Sequence, residues 1–204
     1  MPGQTWGGAT ASFIAMWCVM MAAMMLPSLV PTLRRYRQAI RTTDGRQAGW
    51  LTVSVGTGYF AVWAVFGMLV FLLGTTFAAA EMQWPALARS VPPMASMIVM
   101  AAGAVQFTHW KTCRLARCRE ALRDTHALPP HAMSAWEQGM YLGLHCCLSC
   151  ANLTAIQLVI GVMDLRAMAF VTVAITAERL VPASKLVAQA IGLAAIGAGL
   201  VLLV

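Results

Sequence analysis

The stretch LVAQAIGLAAIGAGLVLLV (residues 186–204) contains no charged side chain, and neither does GTGYFAVWAVFGMLVFLLGTTF (residues 56–77). About 20 apolar residues in a helix cross the hydrocarbon core of a bilayer. Lipid offers no partner to a backbone amide, so only helices or closed barrels can span it. Long continuous apolar runs, as opposed to short alternating ones, select helices. The charge content agrees: 10% of the 204 residues are charged, against roughly 25% in a soluble domain. The expected fold is therefore all-α, a polytopic transmembrane helical bundle forming one domain over residues 1–204.

Six spans are expected, over residues 9–32, 50–77, 91–107, 138–163, 167–181 and 185–204. The basic residues orient them. Arg34, Arg35, Arg37, Arg41 and Arg46 lie between spans one and two, and Lys111, Arg114, Arg117, Arg119 and Arg123 between three and four. Arg179 and Lys185 lie between five and six, so all but Arg89 and Arg166 of the 14 basic residues fall on one side. By the positive-inside rule those three connections are cytoplasmic and both termini lie outside. The net charge of +7 then faces anionic lipid headgroups, and nucleic acid is not needed as a partner. The first span has no basic n-region and no small-residue cleavage pattern, so it reads as a span and not as a signal peptide. An outside N-terminus implies insertion by flanking charge alone or an upstream segment. The implied location is a bacterial inner (cytoplasmic) membrane.

The chemistry gathers in GLHCCLSC, residues 143–150, which places His145, Cys146, Cys147 and Cys150 inside an apolar run. Cys146 and Cys150 stand four apart, on one helical face, and Gly143, Thr154, Gln157 and Gly161 share that stripe. Small and polar residues on one stripe mark a helix that packs on other helices. A second group, His109, Cys113 and Cys118 in HWKTCRLARCRE, is expected at the cytoplasmic end of span three and in the following loop. Thiols there stay reduced, which disfavours a disulfide framework and favours a soft metal.

Span one adds MWCVMMAAMMLPS, with Met24 and Met25 in its inner half and Trp17, Met21, Met24 and Ser28 on one stripe. Thioether sulfur suits Cu(I) and is a poor ligand for zinc. Glu178 lies near the inner end of span five, as an interfacial anchor beside Arg179 or as a functional acid. Asp164 precedes Arg166 in a tight outer turn and reads as structural. Trp50, Trp63, Trp84, Trp110 and Trp136 read as interfacial anchors. Spans one, three and four are expected to touch one another. The candidate metal-binding set is Cys146, Cys150, Cys113, Cys118, His109, Met24, Met25 and Glu178, converging at the cytoplasmic third.

The motifs MWCVMMAAMMLPS, GYFAVW, GAVQFTHWKTCRLARC, GLHCCLSC with GVMDL, and AERL occur in the order of a largely uncharacterised family. The chain resembles the predicted metal-binding integral membrane proteins, from Trp6 to the last helix. The resemblance implies functional positions at Trp17, Met20, Ala23, Met24, Met25, Pro27 and Ser28, and at Gln106, Lys111, Cys113 and Cys118. It further implies Gly143, Cys146, Cys150 and Glu178. Where the family carries a further cysteine, this chain has Ser149.

The leading reading is a non-enzymatic protein that binds a soft metal, copper favoured and zinc possible, for metal homeostasis or delivery to a membrane metalloenzyme. The alternative is a non-catalytic accessory subunit docked in a larger membrane protein complex. A thiol oxidoreductase ranks third, and no Ser-His-Asp arrangement, phosphate loop or c-type haem motif stands out.

Overall fold

The computed structural model describes residues 6–40, 45–121, 132–161, 164–181 and 183–203. Within them the chain is a bundle of seven helices without strands: α1 (Trp6–Ala39), α2 (Gly45–Gln83), α3 (Pro85–Val105), α4 (His109–Ala121), α5 (Ala132–Ile160), α6 (Leu165–Leu180) and α7 (Ser184–Leu203). Five of them, α1, α2, α3, α5 and α7, are long and apolar enough to cross a membrane. The fifth expected span corresponds to α6, whose 16 residues make about 24 Å of helix at 1.5 Å per residue.

Three sequence expectations change. HWKTCRLARCRE is not a loop but α4, folded back on the bundle against α5 and α6. Its Lys111, Leu115 and Cys118 recur at helical spacing and are all buried. Trp63 is not an interfacial anchor: it is fully buried in the core. Lys111 and Arg179, counted among the loop charges, are 1% and 4% exposed. Arg34, Arg35, Arg37 and Arg46 are exposed around the α1–α2 connection, and Arg89 and Arg166 are exposed near the starts of α3 and α6. Arg41 and Arg123 lie outside the described residues.

The most extensive packing is α2 along α5 and α3 along α7. Glycines set the first of these. A Cβ on Gly139 would collide with the carbonyl oxygen of Val55, and one on Gly58 with that of Trp136. The two backbones thus meet through small residues, which allow helices to approach closely. Gly139→Leu is expected to lower stability by about 1–3 kcal/mol, the cost of overpacking. An unchanged melting temperature in detergent would show that α2 and α5 approach less closely.

The extensive partners of α1 are α2 and α6, while α3 packs on α5. Spans one and three are therefore not the close pair expected, although α1 does reach α5 through the sulfurs of Met25 and Cys146. Trp17 on α1 donates its indole N–H to the carbonyl of Trp63 at 2.9 Å and lies over Gly67, which leaves it room. Helix α5 stops at Gly161, whose φ of +133° suits glycine. Asp164 then caps α6 by accepting from the N–H groups of Arg166 (2.8 Å) and Ala167 (3.1 Å). Its role is structural, as the sequence suggests.

Candidate metal centre

The cysteine stripe of α5 faces inward. Gly143, Cys146, Cys150, Thr154 and Gln157 are buried, together with Cys147 and Ser149. From α1, Trp17, Met21, Met24, Met25 and Ser28 are buried as the helical stripe requires. The two faces meet where the Cys146 thiol points at the thioether of Met25, Sγ to Sδ 3.8 Å. Tyr59 of α2 closes a third side with its hydroxyl 2.8 Å from Cys146 Sγ. Cys150, one turn further on the same face, lies within electrostatic reach of Cys146. It has Ser149 Oγ at 3.6 Å and the Arg179 guanidinium at 3.6 Å. Arg179 is itself oriented by donating to Ser28 Oγ at 3.0 Å, and its Nε has no hydrogen-bond partner among the described residues.

Beside the sulfurs lies an ionic knot. The Lys111 ammonium has three donors, and all three have acceptors: Glu178 Oε2 at 2.9 Å, the Ser149 carbonyl at 2.6 Å and Asn152 Oδ1 at 3.1 Å. Gln106 Nε2 donates to the other Glu178 oxygen at 2.7 Å, and Asn152 Nδ2 donates to the Ala102 carbonyl at 3.2 Å. This knot ties α3, α4, α5 and α6 together. Glu178 is therefore the partner of a buried lysine and not an interfacial anchor. Its two oxygens are engaged by Lys111 and Gln106, so its place is in the frame around the thiols.

Cys118, on the buried face of α4, lies within electrostatic reach of Arg179, Cys150 and Lys111. Burial pushes its thiol up, although Arg179 and Lys111 pull the other way. A metal arriving there would have to displace a proton. Ser149, which stands where the resembling family has a cysteine, is thus central to the cluster.

His109 and Cys113 do not join it. They sit on the opposite side of α4 from Cys118, His109 exposed and Cys113 half-buried, with Cys113 Sγ 3.4 Å from His109 Nδ1. Met24 is buried next to Met25 and contributes apolar packing. His145 faces away too: its ring packs edge-on to Tyr141, centroids 4.3 Å apart, near Arg114 and Arg117. Among the described residues no three His, Cys, Asp or Glu side chains come together closely enough to hold a metal ion. The eight candidates thus separate into a buried thiol–thioether group of Cys146, Cys150, Met25 and Cys118, a surface pair, a buried neighbour in Met24, and a framework acid in Glu178.

Sequence reasoning misses Tyr59 and Arg179 as site residues. Tyr59 has a signal in GYFAVW, and Arg179 in its place within AERL, but nothing marks either as touching sulfur. Cys147 and Cys150 also stand in C-x-x-C spacing, the pattern a redox reading requires. Both are free thiols in mid-helix, away from the helix N-terminus that activates a thiol.

A sequence model of the family PpoB2, described as copper chaperone, matches residues 14–202. The chain belongs to this copper chaperone family. Membership makes its role copper-related and places the whole thiol–thioether group, the ionic knot and the surface pair of this copper chaperone family member inside the matched region. No curated protein and no solved structure matches it.

Proposed function

We propose that this chain is a polytopic membrane protein that carries Cu(I) as cargo between the thiolates of Cys146 and Cys150, with the Met25 thioether as a further, neutral sulfur donor and the Cys118 thiol, still protonated, beside them. The observation that supports this reading most is the contact of the Cys146 thiol with the Met25 thioether. A thioether is a soft donor that favours Cu(I) and adds little for zinc.

Charge balance points the same way. Lys111 and Glu178 neutralise each other, which leaves the Arg179 guanidinium without a carboxylate among the described residues and directed at Cys150. Cu(I) held by two thiolates is a monoanion, which one guanidinium offsets. Zn(II) held by the same two thiolates is neutral and would leave Arg179 uncompensated in a dry interior, a costly arrangement.

In the membrane reading, α1, α2, α3, α5, α6 and α7 are six spans of one domain with both termini outside. The exposed arginines of α1, α2 and α4 then face the cytoplasm, and α4 caps the cytoplasmic end of the bundle. That puts the thiols at the cytoplasmic third of a bacterial inner membrane, where they stay reduced. The role that follows is copper homeostasis or delivery to a membrane metalloenzyme, without catalysis.

The test is metal analysis of the full chain purified in detergent under reducing conditions. Stoichiometric copper retained in preference to zinc is expected. Zinc in its place refutes the charge argument, and no metal with all thiols reduced favours the docked accessory subunit. Labelling single cysteines placed between Arg34 and Arg46 checks the topology: reaction from the outer face overturns it.

A further inference from the structure

Helix α4 presents thiols to both of its sides. Lys111, Leu115 and Cys118 face the bundle, while His109 and Cys113, one turn apart, are neighbours on the side turned away from Cys118. The buried knot uses neither of them. Cys113 Sγ lies 3.4 Å from His109 Nδ1 and 3.8 Å from Nε2. The similar distances to the two ring nitrogens place the sulfur over the imidazole face, so holding one ion between them needs a turn of the two side chains about their own bonds. Four residues apart on one helical face, they are near enough to do this by side-chain rotation, without moving the backbone.

We propose that His109 and Cys113 form a second, solvent-facing Cu(I) site, at which copper is accepted from a thiolate carrier before it reaches the buried sulfurs. The acceptor role rests on the reading that those sulfurs hold copper. Two features support it. The pair is reachable, with His109 exposed. The neighbourhood is basic, with Arg114, held over the Trp110 ring at 5.3 Å, and Arg117 on the same helix. A bare cation is repelled by such a surface, whereas an anionic Cu(I)–thiolate complex is drawn to it.

The transfer is a ligand exchange with no change of oxidation state. The copper–sulfur bonds of the carrier break, and bonds to Cys113 Sγ and His109 Nδ1 form. The proton of the Cys113 thiol ends on a released carrier thiolate.

Equilibrium dialysis of the full chain in detergent against Cu(I)–glutathione, without oxygen, tests the site. The parent is expected to take up two equivalents. Cys113→Ser and His109→Ala should each take up one, as should the Cys146→Ser/Cys150→Ser double variant. Full uptake by both surface variants overturns the second site. Full uptake by the double variant overturns the buried site, so the two failures are distinguishable. For the acceptor role, stopped-flow loading of the buried thiols from Cu(I)–glutathione should be slower in Cys113→Ser, and an unchanged rate overturns it.

Discussion

Replacing Cys146 and Cys150 together by serine should abolish the copper that survives desalting through a strong Cu(I) chelator, from one equivalent per chain to none. The expectation rests on two physical differences between the side chains. A serine oxygen is a hard donor with little affinity for Cu(I), and it stays protonated where a thiol can ionise. Met25 alone cannot retain the ion, because a thioether is neutral and supplies no charge to offset that of copper or to engage Arg179. The fold should tolerate the change. Tyr59 can hydrogen-bond a hydroxyl at position 146 as it does the thiol at 2.8 Å, and Ser149 and Arg179 can do so at position 150. Burying two hydroxyls that keep partners costs less than the roughly 1–3 kcal/mol of an unpaired one. The checks are copper per chain after desalting and helical circular dichroism of the same sample. Parental copper in the double variant would show these cysteines to be packing residues. A lost helical signal would leave the Met25→Leu variant as the arbiter, since it removes one soft donor without adding polarity and should weaken retention.

How much of this is visible in the sequence depends on which physical signal each residue leaves. The inward stripe of α5 is readable because Gly143, Cys146, Cys150, Thr154 and Gln157 repeat at helical spacing in an apolar run. The meeting of Met25 with Cys146 follows from depth along two helices. By contrast, α4 looks like a loop because its buried face begins with a lysine. Polar residues at core positions break the binary pattern from which helices are recognised, although Lys111, Leu115 and Cys118 keep the period. Lys111 and Arg179 look like surface residues for the same reason: charge near a span end normally orients the chain, and only the three-dimensional convergence of Glu178, Asn152 and Ser149 shows that Lys111 is held inside. Grouping His109 and Cys113 with Cys118 rests on proximity along the chain, which on a helix says nothing about sharing a face. Tyr59 escapes notice because it comes from α2, which contributes no second sulfur or acid to the cluster.

The second large effect concerns the ionic knot. Lys111→Met should destabilise the protein by about 3–5 kcal/mol, the cost of leaving a buried charge without its partner. Glu178 is 1% exposed, and with Lys111 gone its remaining hydrogen bond comes from Gln106. Asn152 and the Ser149 carbonyl lose their ammonium donor at the same time. The methionine fills the space of the lysine stem, so the loss reports charge and hydrogen bonding and not a cavity. Removing both charges, as in Lys111→Met/Glu178→Leu, should recover most of the loss, because an apolar pair of similar volume often replaces a buried ion pair at little cost. The single variants therefore should not add, and the double-mutant cycle isolates the coupling. Unfolding in detergent, followed by circular dichroism for the parent, the two singles and the double, gives all four corners. Additive losses would mean that Lys111 and Glu178 do not share a dry site. A recovered double variant that still binds less copper would show that the knot also holds α4, and with it Cys118, against the thiols of α5.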